Sequence, residues 1–249
     1  MVEKIKKEAK IMKTKKEDKV STGVENLDKI SEGGFEKNSV NLLVGGSGSG
    51  KSIFAVQFLV EGIKRGENVL YVTFEEKKEE FFENMAEIGW DLEKSEREGK
   101  LVFLEYSPEK VRTMLEEGGG TIESTILGKK ITQVVIDSIT SFELLFNEDV
   151  EKRSVVLELF NMLRKWNCTS LLTYEQDLSR DKKISSKILE FESDSIIMLY
   201  FIREEEERER YIEVYKMRGT KHSTKLYPFE ITDKGIVVSS TPAKGKLKI

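Results

Sequence analysis

The stretch Val40-Asn41-Leu42-Leu43-Val44-Gly45-Gly46-Ser47-Gly48-Ser49-Gly50-Lys51-Ser52 limits what this chain can fold into more than any other. A short apolar run reads as a buried strand and passes into a glycine-rich turn. From Ile53 to Ile63 the apolar positions Phe54, Phe58, Leu59 and Ile63 then fall at helical spacing. Strand, loop and helix in that order are what a phosphate-binding loop needs. Glycines let successive backbone N–H groups curl inward onto phosphate oxygens, and the helix offers its positive N-terminus to the same anion. Lys51 would place a point charge on the β- and γ-phosphates, and the Ser52 hydroxyl would be an inner-sphere ligand of Mg²⁺. A flexible Gly/Ser loop with a stray lysine would lack the strand and amphipathic helix that bracket this one.

With 249 residues, three prolines and no long Gly/Ser-rich linker, the chain fits one α/β domain. Charged residues make up 35% of it, yet the formal net charge is only −4, so composition gives no global case for nucleic-acid or membrane binding. The Lys/Glu-rich exterior suits both a thermophile-like, ion-pair-laced surface and a plainly solvated one. Cys168 is the single cysteine and reads as a buried, inert thiol. No apolar run approaches the ~20 residues of a membrane span, so a soluble cytoplasmic protein is expected. Residues 1–19 read as a basic, flexible arm, 20–240 as the folded domain and 241–249 as a loose tail.

Further along, Val69 to Phe74 reads as a second buried strand that ends in Glu75-Glu76, on the sheet edge where ligands gather. Strand alternation predicts that only one of these carboxylates faces the nucleotide. Glu75 is the candidate that orients an attacking water, with Glu76 behind it or serving as an N-terminal helix charge. Val134 to Asp137 is an apolar strand ending in an aspartate, the arrangement that holds the water shell of Mg²⁺ opposite the loop's Ser52. Glu175 and Gln176 end the strand from Thr169 to Tyr174 and are placed to sense a γ-phosphate.

The triple glycine 118–120 reads as a mobile break between two short helices, and 177–193 as a polar, irregular loop holding Lys182, Lys183 and Lys187. Strands alone follow, at Ser195–Ile202, Tyr211–Met217 and Leu226–Ile231, with the charged run Arg203–Arg210 as a hairpin tip. Lys216 and Arg218, two apart on a strand that Gly219 ends, point to the same side and suit a polyanion.

These elements together resemble the RecA-type ATPases, and within them the KaiC group with its single-domain archaeal and bacterial relatives. The resemblance spans roughly residues 20 to 240. It rests on Ser21-Thr22-Gly23, Leu27-Asp28, Gly33-Gly34, the glycine loop, Val72 to Glu76, Gly89 to Leu92, Ile136 to Ser138, and Lys216 to Thr220 with His222. It implies a twisted, mostly parallel sheet flanked by helices, with antiparallel strands near the C-terminus. It implies a homohexameric ring with ATP or ADP and Mg²⁺ between subunits, and a protein client.

On that resemblance Gly45 to Ile53 cradle the nucleotide, Lys51 and Glu75 act in catalysis, and Ser52 and Asp137 serve the metal. Lys216 and Arg218, joined by His222, reach into the neighbouring subunit's site. Two readings stand beside the ATPase: a KaiC-type autokinase, and a nucleic-acid-binding recombinase-like motor. The adjacent Ser-Thr pair of the autokinase half falls here on Glu190 and Phe191, and none of Ser185, Ser186 and Ser193 reproduces it.

Overall fold

The computed structural model describes residues 19–107, 110, 113, 120–143, 146, 149–178, 184–204 and 206–244. Strands β1 (Lys19–Val20) and β2 (Phe35–Glu36) form a short antiparallel ribbon around helix α1 (Glu25–Ile30). Lys19, assigned by its sequence context to the arm, lies in that ribbon and pairs with Glu36 at 2.8 Å. Then come β3 (Val40–Gly45), α2 (Lys51–Lys64), β4 (Asn68–Thr73), α3 (Lys78–Ala86), α4 (Leu92–Arg97), β5 (Leu101–Glu105) and α5 (Gly120–Lys129). The chain continues through β6 (Ile131–Asp137), α6 (Ile139–Glu143), α7 (Asp149–Lys165), β7 (Thr169–Glu175) and α8 (Lys187–Glu192). It closes with β8 (Ser195–Glu204), β9 (Glu207–Met217), β10 (Tyr227–Thr232) and β11 (Gly235–Val238).

Among the described residues nine strands form one sheet in the order β11-β10-β9-β8-β3-β7-β6-β4-β5. From β8 to β5 all neighbours are parallel, and β9, β10 and β11 are added antiparallel. Every residue of β3 is buried because helices cover both faces of the sheet at this strand. Val40, Leu42 and Val44 join a core with α5, α7 and α8, whereas Leu43 joins one with α2, α3 and α4. Asn41 is the polar exception, and its amide is satisfied in place. Its Nδ2 donates to Ser170 O at 3.0 Å, and its Oδ1 accepts from the Ser195 hydroxyl at 2.6 Å.

Several late elements differ from the sequence expectation. The charged run 203–210 is mostly strand: β8 runs to Glu204 and β9 starts at Glu207, so the tip is two residues long. Alternating charges on a solvated ribbon face hid the period of 2. A fourth late strand, β11, is too short at four residues to announce itself. Within 177–193, residues 187–192 are helical rather than irregular, and Leu189 is the buried residue that fixes them to the core. Lys182 and Lys183 lie outside the described residues, as do Gly118 and Gly119; Gly120 is the first residue of α5.

Cys168 is fully buried between α7 and β7, and burial pushes its thiol up from about 9 to about 11. The native state therefore holds this proton more tightly than the unfolded chain. Its stabilising contribution is complete below pH 9 and is lost as pH rises towards 11. Native protein at pH 8 should resist alkylation by iodoacetamide over hours, while protein in denaturant should react within minutes.

Candidate nucleotide-binding site

β3 ends at Gly45 and the loop turns back on itself before α2 starts at Lys51, three residues ahead of Phe54, the first periodic apolar position. Gly48 and Gly50 have φ of +73° and +100°, which a side chain would resist. A Cβ on Gly45 would lie 2.5 Å from Ser49 Oγ and 2.8 Å from the Leu199 carbonyl, so the strand-to-loop corner has no room for one. Ser47 is exposed at the mouth of the loop. Ser49 points inward, and its buried hydroxyl has no hydrogen-bond partner among the described residues. Lys51 Nζ donates to Gly46 O at 3.0 Å across the loop and stands 3.8 Å from Glu175. Burial lowers its pKa, opposed by Glu175, Asp137 and Glu75. A bound triphosphate would add negative charge where only Glu175, at 3.8 Å, pairs with this ammonium.

Opposite the loop, Asp137 ends β6 as the apolar run places it, and its following peptide is cis. Three hydroxyls converge on its carboxylate. Ser52 donates to Oδ2 at 2.8 Å, Tyr71 to Oδ2 at 2.6 Å, and Thr173 to Oδ1. The Ser52 hydroxyl and this carboxylate are hard oxygen donors from two elements, which fits Mg²⁺ held mainly by phosphates and water. Among the described residues no group of three or more His, Cys, Asp and Glu side chains is gathered to hold a metal by itself.

Tyr71 was not legible as part of the site. It stacks on Phe103 and packs on Phe81, a core position by every sequence criterion. Burial and the nearby Asp137 charge raise its pKa well above the usual value, which keeps it a donor. Tyr71→Phe should therefore cost about 1.5–3 kcal/mol in a urea melt, the worth of a hydrogen bond to a charged group. An unchanged midpoint would show that this bond contributes nothing.

A cleft of about 370 Å³, within the range of small-molecule sites, joins these parts. Its walls include Ser47, Gly48, Gly50 to Ile53, Thr73, Glu75, Glu76, Asp137, Ser138 and Glu175. Both strand-end carboxylates line it, contrary to the alternation expectation. β4 stops at Thr73, and the Thr73 hydroxyl accepts the N–H groups of both Glu75 and Glu76 at 3.2 Å, bending the chain out of register. Glu75 Oε1 accepts from the Ser138 hydroxyl at 2.8 Å and from Ser141. Burial, then Asp137, Glu75 and Glu80, raises the pKa of Glu76.

Two further wall residues come from the late strands. Ile231 packs near Gly50. Arg210 Nη2 donates to Gly48 O at 3.2 Å, with its guanidinium 4.3 Å from the Phe201 ring centre. Phe201 and Arg210 are register partners on β8 and β9, and Phe201 touches the space where a Gly48 side chain would sit. The available signal was the alternation Leu199, Phe201, which meet Gly45 and Gly48, and a reading of 203–210 as a solvated tip obscured it.

Lys216 and Arg218 do lie on the same side, and β9 stops at Met217, the expected end of that strand, with Arg218 just past it. Lys216 Nζ donates to the carbonyls of Glu190 and Phe191, and Arg218 Nη2 to that of Phe191. Burial, then Arg218, lowers the pKa of Lys216. This cluster meets β3 at Val40, the end of the strand opposite the phosphate loop. Neither cation serves its own chain's cleft. His222 follows them, its Nδ1 3.0 Å from Ser223 O, also apart from the loop. Lys187, the described member of the basic loop, is paired with Glu190 at 2.8 Å.

A family model described as the KaiC ATPase matches residues 20–243. The circadian clock protein KaiC3 of Synechocystis is 34% identical over 229 residues, 89% of this chain and 45% of that protein. The chain thus spans about half the length of that clock relative. A UPF0273 protein of Pyrococcus furiosus is 36% identical over 233 residues, 88% of this chain and 93% of that one. The solved KaiC-like protein PH0186 of Pyrococcus horikoshii superposes with a TM-score of 0.79 at 37% identity, covering 89% of this chain and 98% of that one. No described helix is long and apolar enough to cross a membrane.

Proposed function

The chain belongs to the KaiC family of ATPases, and we propose that it is a Mg²⁺-dependent enzyme hydrolysing ATP to ADP and phosphate between the subunits of a cytoplasmic homohexamer. Membership carries ATP binding and hydrolysis in general; the residue roles are inferred from the geometry. The observation that bears most weight is the Ser52–Asp137 hydrogen bond, which brings the phosphate loop and a strand-end carboxylate onto one side of the cleft.

In this reading the N–H groups of the loop and Lys51 hold the β- and γ-phosphates. Ser52, with Asp137 through water, would hold Mg²⁺, which when bound would supply positive charge to the transferring phosphoryl group. Glu75, aimed by Ser138 and Ser141, accepts a proton from the attacking water, and Glu76 lies beside it. Arg210 lends positive charge beside the loop. Lys216 and Arg218 face away from their own cleft, which supports a role in the adjacent subunit's site, with His222 close by. A charge arriving from a neighbour is worth about 10³–10⁵ in rate in phosphoryl transfer, so assembly would gate activity.

The test is purified protein with Mg²⁺ and γ-labelled ATP. Label is expected in free phosphate. Label accumulating on the protein would replace this reading with the autokinase one.

A further inference from the structure

The two cations assigned to the neighbour's site are not loose side chains. Arg218 Nη1 donates to Asp194 Oδ1 at 3.1 Å, and Nη2 to Phe191 O at 2.6 Å. Lys216 Nζ is shared between Glu190 O at 2.7 Å and Phe191 O at 3.1 Å. Asp194 is itself anchored on three sides. Its Oδ2 accepts the Val40 N–H at 2.9 Å, its own N–H donates to Val40 O at 2.8 Å, and its carbonyl accepts the Arg218 N–H at 2.9 Å. Arg164 closes the group, 3.8 Å from Oδ2 while donating to Glu192 O at 2.6 Å.

A free arginine samples many rotamers, whereas this one has a planar fork held by a carboxylate and a carbonyl. Its side chain remains 53% exposed, so donors are left for an anion outside the chain. Phe191 beside it is 69% exposed.

We propose that Asp194 is a positioning residue for hydrolysis in the adjacent subunit: it fixes the Arg218 guanidinium in the direction from which it enters that subunit's cleft. The proposal rests on the ring reading above. Asp194→Asn separates this role from a fold role. The asparagine carbonyl still accepts from Val40, while its amide turns a donor towards Arg218 and breaks the charge-assisted bond.

The variant should keep the wild-type melting temperature and KM for ATP while kcat falls about 10- to 100-fold, the scale of a misplaced catalytic group. Should the asparagine melt low, Asp194→Ser, which removes the carboxylate without setting an amide donor against Arg218, takes its place. Co-expression with Glu75→Gln chains supplies the decisive readout. Those chains carry intact cations beside a disabled cleft, so mixed rings should recover turnover in the clefts of the Asp194 variant. A matching control mixes Arg218→Ala with Glu75→Gln chains.

Wild-type kcat in the Asp194 variant overturns the assignment. So does lost activity that mixing fails to restore while the control mixture recovers. If the control mixture stays inactive, the trans-acting ring reading falls, and the Asp194 assignment falls with it.

Discussion

Lys51→Ala is expected to reduce ATP turnover by about 10²–10³-fold, the cost of removing one preorganised charge from a developing anion, while leaving the fold as stable as before. The side chain is only 10% exposed, and its ammonium is held by one loop carbonyl and, at 3.8 Å, by a half-exposed Glu175. Burial disfavours that charge, as the lowered pKa records. Taking it away leaves Glu175 in water and no unpaired buried ion, so the empty protein should melt at or slightly above the wild-type temperature. The loss falls on the liganded state. A ligand at 100 times its Kd adds about 2.7 kcal/mol of stability, so MgATP should raise the wild-type melting temperature and leave the variant's nearly unmoved. Lys51→Arg should rescue little, because a planar fork does not replace a compact ammonium inside a tight loop. A variant that MgATP stabilises as well as it does the wild type would contradict the assignment of Lys51 to the phosphates.

What the sequence made legible was local. Val40 to Ser52 carries strand, loop and helix start in consecutive residues, and Asp137 ends an unbroken apolar run, so both follow from spacing and burial alone. Arg210 and Tyr71 were not legible, for opposite reasons. Arg210 reaches Gly48 across 162 residues of chain, and its neighbours Arg208 and Glu209 made it one charge among many. Tyr71 sits in an aromatic stack where nothing marks its hydroxyl as aimed at a carboxylate 66 residues away. Glu76 shows how a sound rule failed: period-2 alternation holds only while the strand continues, and Thr73 ends it by capping the next two N–H groups. The six-residue α8 was lost in a polar segment because one buried leucine is too little periodicity to register. Yet that helix holds Lys216 and Arg218 by its last carbonyls.

The effect expected to be largest is that of Glu75→Gln. Glutamine preserves the shape and an acceptor for Ser138 and Ser141, and the backbone at this position is fixed by Thr73 rather than by the side chain. Structure and ATP affinity should therefore survive, while the oxygen that takes the water's proton loses its basicity. General-base catalysis contributes about 10²–10⁴-fold, and kcat should fall by that factor with KM unchanged or lower. Nucleotide would then remain on the enzyme as ATP, and rapid quench of a single turnover should recover unhydrolysed ATP from the bound fraction. The same experiment weighs Glu76, which lines the same cleft and whose raised pKa, caused first by burial and then by Asp137, Glu75 and Glu80, also fits a proton acceptor. Two side-chain hydroxyls orient Glu75, and orientation decides which carboxylate meets the water, so Glu76→Gln should cost less. If Glu76→Gln costs more than Glu75→Gln, the roles are exchanged, and the serines on Glu75 hold a neighbour of the base rather than the base.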